Sequence, residues 1–220
     1  MKMGKISQAA LAVSLLIASQ LDSKATITLT FEGLQNEEPI LNFYNGGTGG
    51  YGSGPGPNYG ISFSADSLAL NSGNYANNPS QPGIAFFLTG AGDIMNIANG
   101  FDTGFSFYYS AAVYSGTVTV YDGPNGTGNV LAQLNLPVTP TLPPGSPAYN
   151  NWQPIGVTFS GIAKSVNFSG VANYIGFDNI TLGSETPTAP VPEPGTWIAG
   201  VFMAGMMGCV MFRRRTAIVG

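Results

Sequence analysis

Between Thr26 and Leu182 the apolar positions recur every second residue. Ile27, Leu29 and Phe31 alternate with Thr26, Thr28 and Thr30; Phe105, Phe107 and Tyr109 alternate with Gly104, Ser106 and Tyr108; Val118 and Val120 alternate with Thr117 and Thr119. A period of two marks a strand with one face buried. Further strands are predicted over 60–64, 83–88, 93–97, 130–136, 155–159, 165–168 and 175–182. Turn sequences divide them: Asp122-Gly123-Pro124-Asn125-Gly126, Pro143-Pro144-Gly145 and Ser169-Gly170. No helical apolar stripe of comparable length interrupts the series. The spacing predicts an all-β, jelly-roll-like antiparallel sandwich of about ten strands over residues 26–183. In the last strand the parity breaks: Ile175 and Phe177 are odd, Ile180 and Leu182 even. That predicts a β-bulge at Asp178-Asn179.

Residues 45–60, NGGTGGYGSGPGPNYG, are half glycine and should form a loop. The loop is either a binding element with Tyr51 and Tyr59 as its surfaces, or a flexible spacer. Residues 184–194 are rich in Pro and Thr and read as an extended stalk.

The two ends carry a different pattern. Lys2 and Lys5 precede the apolar run AALAVSLLIA, and Ser23-Lys24-Ala25 sets small residues before a cut between Ala25 and Thr26. Residues 1–25 are therefore expected to be a secretory signal peptide, handled by the Sec machinery and signal peptidase. Near the other end, residues 195–212 are uncharged, and as a helix would cover ~27 Å, close to a bilayer core. Arg213, Arg214 and Arg215 follow and should stop transfer and hold residues 213–220 in the cytoplasm. Just before the apolar segment stand Val191, Pro192, Glu193 and Pro194, where two prolines keep one carboxylate in a rigid extended frame. The order Pro-Glu-Pro, apolar segment, arginine cluster resembles the PEP-CTERM sorting signal of Gram-negative bacterial surface proteins. The resemblance implies an exosortase-type membrane enzyme as partner. It also implies anchoring in the inner membrane before sorting, then delivery to the cell surface or extracellular matrix, in association with exopolysaccharide.

Composition narrows the chemistry. The chain has no His and one Cys, Cys209. Imidazole acid–base catalysis, Ser-His-Asp and Cys-His nucleophiles, His-ligated metals and disulfide frameworks are thereby excluded. From Thr26 to Pro190 nine acids face Lys164 alone, which argues against nucleic acid as a partner. A glycoside hydrolase would need only two carboxylates, but no pair sits in a catalytic setting; Glu37 and Glu38 are adjacent, so in a strand they point apart. The expectation is a non-catalytic surface or matrix protein. The alternative is a carbohydrate-binding module with exposed aromatics, Tyr149 and Trp152 foremost among Tyr108, Tyr109 and Tyr114, stacking on sugar rings. The opening Thr30-Phe31-Glu32-Gly33 and the closing 176–182, GFDNITL, resemble the terminal strands of secreted jelly-roll modules, including carbohydrate-binding modules. That resemblance implies Glu32 and Asp178 as candidate ligands of a structural Ca²⁺.

Overall fold

The computed structural model describes residues 26–71, 73–90, 92–143 and 149–189. The expected signal peptide (1–25), the Val191–Pro194 motif, the apolar segment 195–212 and Arg213–Arg215 lie outside them. The described chain forms twelve strands: β1 (Ile27–Leu29), β2 (Glu38–Pro39), β3 (Ile61–Phe63), β4 (Ser67–Leu70), β5 (Ile84–Phe87), β6 (Gly92–Phe101), β7 (Gly104–Ser110), β8 (Gly116–Tyr121), β9 (Val130–Leu136), β10 (Gln153–Thr158), β11 (Ala163–Ser169) and β12 (Gly176–Leu182). No helix occurs among the described residues. One sheet has seven strands in the order β10-β7-β12-β5-β4-β2, with β1 also on β12; the other has five, β3-β6-β11-β8-β9. All pairings between these strands are antiparallel.

The alternation explains how the sheets meet. Phe105 and Phe107 of β7 and Phe177 of β12 point inward from one sheet, and Phe168 of β11 meets them from the other. Its ring centroid lies 6.0, 6.0 and 4.9 Å from theirs, each pair edge to face. Such pairs add about 0.5–1.5 kcal/mol each beyond the area they bury. Strands β2 and β4 were not anticipated, because two and four residues are too short to display a period.

Strand β12 is buried along its whole length. Its inner face joins the core, and its outer face is covered by two segments. The first is 184–188, the start of the segment expected as an extended stalk. Instead it folds back across the sheet as a strap. Ser106 Oγ donates to Ser184 O (2.9 Å), Thr188 N donates to Thr181 Oγ1 (3.2 Å), and Asn179 Nδ2 donates to Thr188 O (3.0 Å). The Thr28 and Thr188 hydroxyls lie 2.5 Å apart, so the strap also joins the start of β1. Gly156 of β10 makes room, since a Cβ there would overlap the Glu185 carbonyl. The second cover is the loop 73–83.

The bulge is present. Asp178 pairs with Tyr108 and Thr181 with Ser106, so three steps on β12 match two on β7. Asn179 takes the left-handed conformation (φ 47°) that the extra residue requires. The bulge turns Ile180 and Leu182 back into the core and leaves Asp178 on the covered outer side.

Candidate functional site

Two buried carboxylates and one aromatic cluster organise the surface of the seven-stranded sheet. Asp178, fully buried, receives three donors: Ser80 N–H on Oδ2 (2.7 Å), and Ser80 Oγ and Asn179 N–H on Oδ1 (2.7 Å each). Burial nevertheless pushes its pKa up to about 7; the donors oppose that, and the neighbouring Glu32 charge adds to it. Glu32 Oε1 in turn accepts from Gly83 N–H at 3.3 Å. The predicted acid pair is thus brought together at the base of the 73–83 loop. These are oxygens of the kind Ca²⁺ takes, and two carboxylates alone would not complete the six to eight it needs. The described residues hold no cluster of three His, Cys, Asp or Glu side chains, so backbone carbonyls would complete the set. Lys164, whose ammonium donates to Ala98 O (3.0 Å), does not neutralise the pair.

The other end of the same loop carries Tyr75. Its backbone bridges that of Tyr149, with Ala76 N–H donating to Tyr149 O (3.0 Å) and Tyr149 N–H to Asn74 O (3.1 Å). The Tyr75 and Tyr149 rings stack at 4.6 Å, and Trp152 lies tilted against Tyr75 at 5.9 Å with its indole N–H donating to Ala76 O (3.0 Å). The two predicted stacking residues are therefore neighbours, but they pack on Tyr75. Tyr149 is only 6% exposed. Among the other aromatics, Tyr109 is buried, Tyr108 is half-buried, and Tyr114 is exposed and set edge-on to Tyr174 at 4.7 Å. Beneath the cluster lie Ile84 and Phe86, buried on the outer face of β5 while Ala85 and Phe87 face the core. Gly176 of β12 admits the cluster, because a Cβ there would overlap the Tyr75 ring. A cleft of about 380 Å³ opens beside Tyr75, Tyr149 and Tyr174.

The second organising carboxylate, Glu38, is one the sequence reading set aside. It is fully buried and accepts from Gln35 N–H (2.7 Å), Tyr51 N–H (2.8 Å) and Ser53 N–H (3.1 Å). Burial raises its pKa, but these donors outweigh burial and hold it below the usual carboxylate value. The glycine-rich segment is thus a loop, as expected, but one with defined internal bonds. Gly49 N–H donates to Ser53 O (2.9 Å), Gly50 N–H to Pro39 O (2.7 Å) and Gly56 N–H to Gly47 O (3.0 Å). Tyr51 projects from it, 61% exposed, while Tyr59 stacks on Tyr44 at 6.3 Å. The glycine-rich segment carries no periodic signal that would single out Glu38 as its acceptor.

With this geometry in view, the comparisons with known proteins divide the chain. Residues 190–215 match the PEP-CTERM protein-sorting motif. The PEP-CTERM match begins two residues beyond Thr188, where the strap is pinned. No curated protein matches the chain. Solved structures similar to the β domain include the K1 cleaved adhesin domain of Lys-gingipain from Porphyromonas gingivalis, with 15% identity and a TM-score of 0.46, covering 72% of this chain and 98% of that one. The C-terminal family 6 carbohydrate-binding module of a marine laminarinase from Zobellia galactanivorans has 13% identity and a TM-score of 0.35, covering 55% of this chain and 89% of that one. An arabinoxylan arabinofuranohydrolase from Bacillus subtilis has 19% identity and a TM-score of 0.38; the match covers 54% of this chain but only 24% of the enzyme.

Proposed function

We propose that this chain is an exported, non-catalytic surface or matrix protein delivered through its PEP-CTERM signal. The observation that carries the proposal is the motif match at 190–215 directly after a β domain. On this reading residues 1–25 are removed, residues 26–183 with their strap are the cargo, and 195–212 hold the protein in the inner membrane until an exosortase-type enzyme acts near Glu193. Three guanidinium groups at 213–215 would cost ~2.5–3.5 kcal/mol each to carry through hydrocarbon, which keeps the apolar segment in register. A C-terminal epitope tag followed in membrane and outer fractions of an exosortase-bearing host tests the assignment. Wild type should lose the tag and reach the surface, and Pro192→Ala with Glu193→Ala should stay in the membrane and keep it. Equal processing of both would overturn the assignment.

A second reading, glycan binding at the surface, is favoured by the aromatic cluster beside the cleft. It is compatible with the first.

A further inference from the structure

We propose that the cleft beside Tyr75 is a binding site for a neutral, polyhydroxylated sugar chain, and that Asn173, Tyr174, Glu37 and the buried Tyr75 hydroxyl are its recognition groups. The proposal deepens the glycan-binding reading and rests on it. Tyr149 and Trp152 support this site by packing.

Four observations converge. First, the cleft is of ligand size, about 380 Å³, and lies on a sheet face rather than between flexible ends. Second, Tyr75 lines this cleft, and its buried Oη makes no hydrogen bond with the described residues. A buried hydroxyl without a partner is costly, and a ligand hydroxyl that reached it would remove that cost. Third, two lining residues are held in left-handed backbone conformations, Glu37 at φ 57° and Asn173 at φ 66°. For glutamate this is a strained choice, and strain of this kind gathers at binding sites. Asn173 is fixed from behind by its own N–H, which donates to Phe87 O at 2.7 Å.

The fourth observation sets the ligand class. Asn36, Asn74 and Asn173 line the cleft. Asn36 Oδ1 accepts from Asn71 N–H (3.0 Å), whereas the amides of Asn74 and Asn173 each offer a donor and an acceptor side by side, the pattern that adjacent hydroxyls of a sugar require. Half-buried Tyr174, set edge-on to Tyr114, and exposed Leu88 supply the apolar surface that the C–H face of a pyranose covers. Among the described residues lining the cleft Glu37 is the only charged one, and the domain around it is strongly acidic. Uronates, sulfated sugars and phosphates would be repelled.

Affinity electrophoresis of the full chain in mild detergent tests this, with dextran, xylan and galactomannan as neutral probes and alginate as the anionic one. At least one neutral polymer should retard wild type, and alginate should not. Asn173→Gly keeps the left-handed turn while deleting the amide, and Tyr174→Ala removes the apolar wall; each should weaken binding by about tenfold, roughly the loss of one good contact. Tyr51→Ala, on the glycine-rich loop, should bind like wild type. Unchanged melting of Asn173→Gly separates lost contacts from lost folding. Neutral binding that survives both cleft variants would overturn this site and leave the glycan reading standing. Retention by alginate instead would overturn the neutral class. No retention by any polymer would overturn the site and the glycan reading together.

Discussion

The loop at 45–60 and the loop at 73–83 are each tied to the sandwich by one buried carboxylate, yet the two acids are set in opposite electrostatic states. Glu38 accepts three backbone N–H donors and its pKa is lowered. Asp178 also accepts three donors, but it lies beside Glu32, and its pKa is raised to about 7. The difference is chiefly desolvation, which outweighs the donors at Asp178 but not at Glu38; the Glu32 charge adds a smaller push in the same direction. One loop is therefore complete within the protein, and the other is arranged so that a proton or a cation would complete it. The second loop is also the one whose far end builds the cleft wall through Tyr75.

Removing Glu38 should have the largest effect. Glu38→Ala leaves the part-buried N–H groups of Gln35, Tyr51 and Ser53 without their acceptor, for an expected loss of about 3 kcal/mol. Glu38→Gln should lose less, because its carbonyl can still accept. Denaturant unfolding of the two variants reads this directly. A near-neutral Glu38→Ala would mean that the glycine-rich loop holds itself, and the comparison would fail.

The pH dependence should follow the two directions separately. Glu38, with a lowered folded pKa, stabilises above its unfolded value of 4.5, and that contribution is lost as pH falls through the folded value. Asp178 has a raised folded pKa, so its contribution is fully present below the unfolded value of 3.8 and is lost as pH rises toward about 7. In protein stripped with EDTA, Asp178→Asn should flatten the decline in melting temperature between about pH 4 and 7. An unchanged decline would remove Asp178 as its source.

Calcium should act on the second loop alone. Ca²⁺ held by Glu32 and Asp178 would bind only the folded protein and stabilise it by mass action, by about 2.7 kcal/mol at a hundredfold excess over Kd. Adding Ca²⁺ to wild type should raise the melting temperature and EDTA should reverse it, while Asp178→Ala should respond to neither. Absence of a wild-type response would leave the acids as a proton-sharing pair.

How much of this was readable beforehand follows from chain geometry. The ten strands of three residues or more other than β4 announced themselves through alternation, and the bulge through the parity change from Phe177 to Ile180. Glu32 and Asp178 are 146 positions apart, and only the resemblance to secreted jelly-roll modules pointed to them as a pair. Glu38 was not legible as an anchor. Its role depends on N–H groups from Tyr51 and Ser53, and glycine-rich chain carries no periodic signal to say where those groups will point. The strap was hidden for a related reason. Residues 184–188 are polar, and their docking rests on Ser106, Asn179 and Thr181, polar outer-face residues that look solvent-facing in sequence. Tyr149 and Trp152 were expected to stack on sugar rings, and only the fold reveals that both pack against Tyr75.

The smallest expected effect tests whether Glu38 is the main anchor of its loop. Gly52 has φ +94°, and a Cβ there would meet nothing within 4 Å. An Ala at this position therefore brings backbone strain without a clash, at about 1 kcal/mol. Gly49 is the contrast in the same loop: a Cβ there would come within 2.5 Å of Glu38 Oε1 and 2.7 Å of Leu34 Cδ2. Gly52→Ala should lower stability slightly and leave the Glu38 bonds intact, whereas Gly49→Ala should approach the loss seen on removing Glu38 itself. If Gly52→Ala proved as damaging as Gly49→Ala, the open side of the loop would have to be packed against something. The glycine-rich loop would then be anchored at a second place, and its contrast with the 73–83 loop, which is held at both Ser80 and Tyr75, would disappear.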